Sequence, residues 1–300
     1  MLPRIIDPCA IVSRIDEKAA KETGLSQATA IVAGATDTVM EVYASGVIHP
    51  GQATVKLATA GRICPVTPKP YPHPLLFNYP HIIPGMWYPG TATKSCAASY
   101  RWYRDVLGEH EMATAKDQGG DAYSLMSDAA AKTPPGSGNL FFHPYLLGEI
   151  TPYLDNDLKG SFTGVSAFHT KAHFNRAVLE GVAYSLYDTL QVLYDLNIDI
   201  KQASIIGGGA KSPLWRQIVA DVFGIELIKA QTDDSSLGSA MMAGVATGIF
   251  SSFEESVAKC VKVQEVVKPD PGNHRVYQKG FATYKKIHDA LAPIYAGLAE

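Results

Sequence analysis

The stretch from Ser204 to Gly224, SIIGGGAKSPLWRQIVADVFG, sets a short apolar strand, three consecutive glycines and a helix start in immediate succession. Ser212 is placed as an N-cap and Pro213 as the first helical residue, where a missing N–H costs nothing. The helix is expected to bury Leu214, Ile218 and Val222 and to stop at Gly224. Glycines carry no Cβ, so the loop backbone can approach a flat or anionic ligand closely, and the helix N-terminus adds free N–H groups and positive dipole. A nucleotide is the guest such a turn suits. The spacing is neither G-x-x-x-x-G-K-[ST] nor G-x-G-x-x-G, so two familiar phosphate loops are excluded. Taken alone, a tight strand-to-helix turn without any ligand accounts for the stretch equally well.

Upstream, Thr29 to Gly34 (TAIVAG) reads as an apolar strand running into a glycine turn, with a helix from Thr38 to Gly46. Ala53 to Arg62 reads as a strand ending in a small-residue turn. Cys64 to Gly90, rich in proline, histidine and aromatics, reads as an irregular excursion with an edge strand at most. Helical periodicity covers Lys94 to Leu107 and Gly120 to Ala131, and TPPGSGN separates the latter from the apolar strand LFFHPYL. Between Lys171 and Leu196, apolar residues recur every three or four positions, which predicts one helix of about seven turns. After the opening stretch come a strand ELIKA, a small-residue helix from Ser236 to Phe250 and a C-terminal helix from about Gly272. Strands alternating with helices argue for an α/β domain built on a layered sheet.

Composition narrows the function classes. The chain has 300 residues, 46% of them hydrophobic, and a formal charge of -3. That charge offers no field to draw in nucleic acid or an anionic membrane, so any phosphate must be held by local geometry. Cys9, Cys64, Cys96 and Cys260 lie far apart with no C-x-x-C, against a zinc ribbon or a disulfide framework and in keeping with a reducing cytoplasm. No apolar run reaches membrane-spanning length, and Asp7, Asp16 and Glu17 interrupt the N-terminal segment where a signal peptide would be apolar.

Two further blocks decide between the readings of the glycine turn. Gly160-Ser161-Phe162-Thr163-Gly164-Val165, followed by His173-Phe174-Asn175-Arg176-Ala177-Val178-Leu179-Glu180, resembles the C-terminal signature of the FGGY family of carbohydrate kinases. Phe142 to Asp155 (FHPYLLGEITPYLD) resembles that family's LPYLxGERTP block, with Ile150 where an arginine is common. The resemblance runs over nearly the whole chain. It implies an α/β, actin-like and ribonuclease H-like ATPase lobe, a mixed sheet flanked by helices. It also implies phosphorylation of a sugar hydroxyl by ATP with Mg²⁺, the sugar being a ketopentose such as D-xylulose in the branch it most resembles.

The resemblance assigns roles by position. Gly208, Gly209 and Ala210 fall on the turn that holds the adenosine end of ATP, with Ser212 nearby. Ala58-Thr59-Ala60-Gly61 falls on the second phosphate turn, with Thr59 and Gly61 toward the β- and γ-phosphates and Ala58 where a glycine is usual. Lys94 to Ala98 matches a helix start beside the phosphates. Asp37, in Ala33-Gly34-Ala35-Thr36-Asp37, matches the catalytic carboxylate of the GGxD turn. In a loose phosphoryl-transfer transition state the attacking hydroxyl loses its proton late, so a carboxylate of ordinary pKa suffices if it is well placed. Without the resemblance, Asp37 reads as a cap on the helix behind it.

Other residues take structural readings. His169 and His173 lack the glutamate of a zinc helix, Asp233 and Asp234 are expected to cap the next helix, and Met241-Met242 reads as packing. No metal-ligating set is expected from the protein itself. By position, residues 1–47 match the tail of a sugar-binding N-terminal lobe and 48–300 a nucleotide-binding C-terminal lobe. The early D-x-G-T/S segment of such kinases is absent. The expectation is therefore a piece of a two-lobe kinase with negligible activity alone, its bared apolar cleft wall prone to self-association into a homo-oligomer. A non-enzymatic nucleotide-binding module, and a kinase of gluconate, ribulose or glycerol, are the alternatives.

Overall fold

The computed structural model describes residues 4 to 298; residues 1–3 and 299–300, the outer ends of the two expected segments, lie outside the described residues. At the N-terminus, β1 (Ile11–Arg14) pairs antiparallel with β2 (Ala30–Val32), with α1 (Glu17–Thr23) between them. Then come α2 (Asp37–Ala44), β3 (Gln52–Leu57), β4 (Gly61–Pro65), β5 (Phe77–Pro80), β6 (Trp87–Ala92), α3 (Ala97–Leu107), α4 (Glu109–Gln118) and α5 (Ala122–Ala131). A small antiparallel pair, β7 (Phe141–His143) and β8 (Ser161–Thr163), precedes α6 (Lys171–Asp195). The chain closes with β9 (Gln202–Ile206), a 3-10 turn at Gly208–Lys211, α7 (Pro213–Phe223), β10 (Glu226–Ala230), α8 (Ser235–Ala246), α9 (Phe253–Cys260), β11 (Val263–Val267) and α10 (Pro271–Ala296).

Seven strands form one sheet in the order β11-β10-β9-β3-β4-β6-β5. β9 runs parallel to both β3 and β10, and the outer pairs are antiparallel. The central strands are buried on both faces because helices cover both sides, as parallel pairing demands. Alternation along each strand feeds two cores. Val55, Leu57, Ile63, Ala203 and Ile205 point into the larger one, with α6, α7 and Tyr277 and Tyr284 of α10. Cys64 and Val66 point into the other, with Val39, Met40 and Tyr43 of α2 and Met241 and Met242 of α8. A Cβ on Gly238 would overlap the Met40 carbonyl oxygen, so α2 and α8 meet backbone to backbone. Cys9 and Val32 of the N-terminal segment pack against the same core as α2.

The expected irregular excursion contains sheet. β4 begins within what reads as a small-residue turn, and β6 closes the excursion with Trp87–Ala92. Three more elements carry weak sequence signals. α4 buries only Ala115 and shows no apolar stripe, while α9 is a short helix whose stripe, Phe253, Val257 and Cys260, packs partly buried on the second core. β11 is an edge strand with a single buried residue, Val267.

The signature residues build a polar junction behind the sheet. Arg176 and Glu180, both buried, pair at 2.6 Å, and Tyr277 of α10 donates its hydroxyl to Glu180 at 2.8 Å. Ser137 Oγ and the Gly136 N–H also donate to Glu180, at 2.7 and 3.0 Å, while Arg176 reaches the Thr133 carbonyl at 2.9 Å and Tyr277 Oη at 2.7 Å. Glu149, from the LPYLxGERTP-like block, is 1% exposed and accepts the N–H groups of Lys94 and Ile150, both at 2.8 Å, and the Ser185 hydroxyl at 3.2 Å. Burial outweighs these hydrogen bonds and the nearby Lys94 charge and pushes its carboxyl up to about 7.

Candidate nucleotide site

Parallel pairing of β3 with β9, with Lys56 opposite Ile206, brings the two small-residue turns out side by side at one sheet end. Gly207, at φ 90°, lies so close to β3 that a Cβ would stand 2.8 Å from the Leu57 carbonyl oxygen. At Gly209 a Cβ would stand 2.8 Å from both Leu57 Cβ and the Trp215 ring. At Gly208 it would meet nothing within 4 Å. The triplet thus has two purposes: its outer glycines let the protein pack against itself, and the middle one presents bare backbone to an opening.

That opening is a cavity of about 560 Å³. Thr59, Gly208, Gly209 and Ser212 all line it, drawn from both turns. Its remaining walls are Ala97, Ala98, Tyr100 and Arg101 from the start of α3, Lys211, Pro213 and Trp215 around α7, and Asp121, Tyr123, Ser124, Ser127 and Asp128 around α5. Ser212 caps α7 by accepting the Trp215 N–H at 3.3 Å, Pro213 follows at the first helical position, and Gly224 ends the helix in the left-handed region. Leu214 is only partly buried, while Ile218 and Val222 reach the core.

The two turns are made rigid by different partners. The N–H groups of Cys96 and Ala97 at the start of α3 donate to the Thr59 and Ala58 carbonyls at 2.9 and 2.8 Å. The amides that would be free at that helix end are therefore spent on the Thr59 turn. In the glycine turn, Ala210 N–H returns to the Gly207 carbonyl at 3.1 Å and Ser212 N–H to that of Gly209 at 3.1 Å, while no protein acceptor takes the Gly208 or Gly209 N–H among the described residues. An aromatic floor backs the cavity: Tyr100 stands edge-on to Trp215 with centroids 5.6 Å apart and tilted to Tyr123 at 5.5 Å. Burial raises the Tyr100 hydroxyl, with the Ser127 side chain acting in the opposite direction.

Three assigned residues lie elsewhere. Gly61 is buried at the start of β4, its N–H on Thr93 Oγ1 at 3.1 Å, and does not line the cavity. Ala210 is fully buried behind the turn. Asp37 is exposed and outside the cavity lining; it is the first residue of α2, with Thr36 as N-cap, and its carboxylate accepts the Thr38 N–H at 2.7 Å. Asp234 caps α8 as expected, but Asp233 does not: its carboxylate turns to Lys229 and the Gly207 N–H. His169 and His173 are occupied by Ser166, Gly138 and Thr170. The α5 wall has a signal in the sequence, since Asp121, Ser124 and Ser127, with Asp128, fall three or four residues apart along one helical face.

The sequence model of the FGGY family of carbohydrate kinases, C-terminal domain, matches residues 53–247. The chain belongs to this family. It is 33% identical over 301 residues to a xylulose kinase of Staphylococcus epidermidis, covering 99% of this chain and 58% of that protein. It is 31% identical over 302 residues to a gluconokinase of Bacillus licheniformis, with the same coverages, 99% and 58%. Among solved structures, the xylulose kinase of Rhodospirillum rubrum superimposes with a TM-score of 0.85 at 27% identity, over 98% of this chain and 58% of that one. The gluconate kinase of Lactobacillus acidophilus gives 0.87 at 27%, over 99% and 58%. The chain therefore spans little more than half the length of these relatives. Its mixed sheet flanked by helices is the actin-like ATPase fold they share.

Proposed function

We propose that this chain supplies the nucleotide-holding part of an ATP-dependent sugar kinase, with a ketopentose such as D-xylulose as the acceptor. The observation that carries the reading is the convergence of Thr59, Gly208, Gly209 and Ser212 on one cavity, with the Gly208 backbone bare toward it. ATP fits this wall: the free Gly208 and Gly209 amides and the Thr59 hydroxyl suit phosphate oxygens, and the Tyr100–Trp215 floor suits a flat base. No group of three or more His, Cys, Asp or Glu side chains that could hold a metal occurs among the described residues. Mg²⁺ bound together with ATP would supply charge neutralisation on the transferring phosphoryl group. Asp37 is assigned as the acceptor of the sugar hydroxyl's proton. Among the sugars, the ketopentose has the support of the S. epidermidis xylulose kinase, at 33% identity against 31% for the gluconokinase. Four free cysteines suit the reducing cytoplasm, where ATP is available. Among the described residues no helix is long and apolar enough to cross a membrane.

The position of Asp37 outside the cavity lining favours a second reading, a nucleotide-binding module without phosphotransfer. Titration of the chain with ATP and ADP tests what both readings share. A ligand at a hundredfold excess over its Kd raises native-state stability by about 2.7 kcal/mol, visible as a thermal shift. No shift with millimolar nucleotide overturns both. Given binding, phosphoryl transfer to D-xylulose by the two-lobe kinase that contains this chain, lost in Asp37→Asn, supports the kinase, and transfer by that kinase unaffected by the change removes Asp37 from the assignment.

A further inference from the structure

The glycine turn is held at both ends by charged side chains that never reach the cavity. At its start, Asp233 Oδ2 accepts the Gly207 N–H at 3.3 Å and the Lys229 ammonium at 3.2 Å, and that ammonium also donates to the Ala230 carbonyl at 2.9 Å. Lys229 is 8% exposed, so its charge is neutralised within the protein by Asp233. At the far end, Arg216, 6% exposed, donates to the Ala210 and Lys211 carbonyls at 2.7 and 3.2 Å and pairs with Glu265 of β11. None of Lys229, Asp233, Arg216 or Glu265 lines the cavity.

We infer that Asp233 is a positioning residue for nucleotide binding: by fixing the Gly207 N–H against buried Lys229, it holds the turn so that the Gly208 and Gly209 amides stay aimed at the ligand. The inference rests on the nucleotide reading of the cavity. Its physical ground is that Gly207, free of a Cβ and at positive φ, has little intrinsic preference for this one conformation. A flexible turn must be ordered at the moment of binding, and that cost is removed when the protein orders it beforehand. The Arg216 contacts act in the same direction from the other side. An aspartate beside a helix start has an ordinary use as a cap, but here Asp234 fills it, leaving Asp233 for the turn.

The test compares Asp233→Ala with Asp233→Asn in the full chain. Asparagine can place its carbonyl oxygen where Oδ2 lies and point its amide outward, because Oδ1 has no protein partner. In the ligand-free chain, amide hydrogen exchange at Gly207, Ala210 and Ser212, the amides of the turn that have protein acceptors, should accelerate about tenfold in D233A, the equivalent of one lost hydrogen bond to a charged acceptor, and stay within about threefold of wild type in D233N. ADP affinity measured by calorimetry should follow the same pattern, about tenfold weaker in D233A and restored in D233N. Unchanged exchange in D233A overturns the inference whatever the chain binds. Accelerated exchange with unchanged ADP affinity also overturns it, because the turn is then held for reasons unrelated to binding. If D233A exchanges faster but even the wild type binds no ADP, the nucleotide reading fails while the contact to Gly207 stands.

Discussion

The junction behind the sheet and the cavity at its end are built from the same kinds of polar group, used in opposite ways. Around Arg176 and Glu180, donors and acceptors close on one another: guanidinium, carboxylate, Tyr277, Ser137 and the Thr133 carbonyl form a sealed network between α6 and α10. At the cavity, the Gly208 and Gly209 amides have no protein partner among the described residues. A sealed network costs little while intact and much when one member is removed, because the other is left as an uncompensated buried charge. Unpartnered groups beside a cavity wait for a ligand. The lesson is that the stretch which most clearly marks this family, residues 160–180, builds scaffold, while the binding surface comes from quieter segments.

The largest effect should come from breaking the sealed side. Arg176→Met leaves Glu180 without its cation, and urea denaturation should record a loss of about 3–5 kcal/mol. A loss below about 1 kcal/mol would mean the junction is no more closed than a surface pair. Next comes Glu149. Its folded pKa of about 7 lies above the ordinary value of 4.5, so the protonated form is favoured in the native state. Its stabilising contribution is complete below pH 4.5 and is lost as pH rises through about 7, an effect of roughly 3 kcal/mol. Glu149→Gln should therefore gain on wild type by that order between pH 4.5 and 8. Parallel stability curves for the two proteins would contradict this.

On the open side, effects should fall on binding and spare the fold. Gly208→Val projects into empty space, so ADP affinity should drop about a hundredfold, near 2.7 kcal/mol, with the ligand-free midpoint within about 2 °C of wild type. Gly209→Val, facing Leu57 and Trp215, should instead lower the midpoint itself. Equal behaviour of the two would erase the distinction between packing and ligand-facing glycines. The smallest change is Thr59→Val, which removes one hydroxyl from the cavity rim and should weaken ADP about tenfold; calorimetry unchanged from wild type would remove that side chain from the binding surface.

Much of the architecture is legible because strong local signals agree. The N-cap, proline and terminal glycine of α7, the long apolar stripe of α6 and the strand ELIKA all lie where periodicity and capping chemistry put them. What escaped has a common cause, namely segments whose shape is set by distant partners. β4 and β6 are strands because they pair with β3 and with each other, despite Pro65 and Pro89. α4 hides behind polar composition, and α9 is only eight residues long. At the site, Thr59 and Gly208 were found through the motifs, whereas Tyr100 and the α5 wall depend on a tertiary approach no local rule foretells. Asp233 was misread for a related reason: a cap explains it locally, and only the parallel neighbour β9 brings Gly207 within its reach.

The backbone seam between α2 and α8 has a kinematic meaning. With no side chain between the Gly238 Cα and the Met40 carbonyl, the two helices can neither slide nor part without a steric collision or a void. The β1–β2 segment joins α2 through the exposed Ala35 and Thr36 and packs on the same core through Cys9 and Val32. Through that seam Asp37, the first residue of α2, is held at a fixed distance from α8.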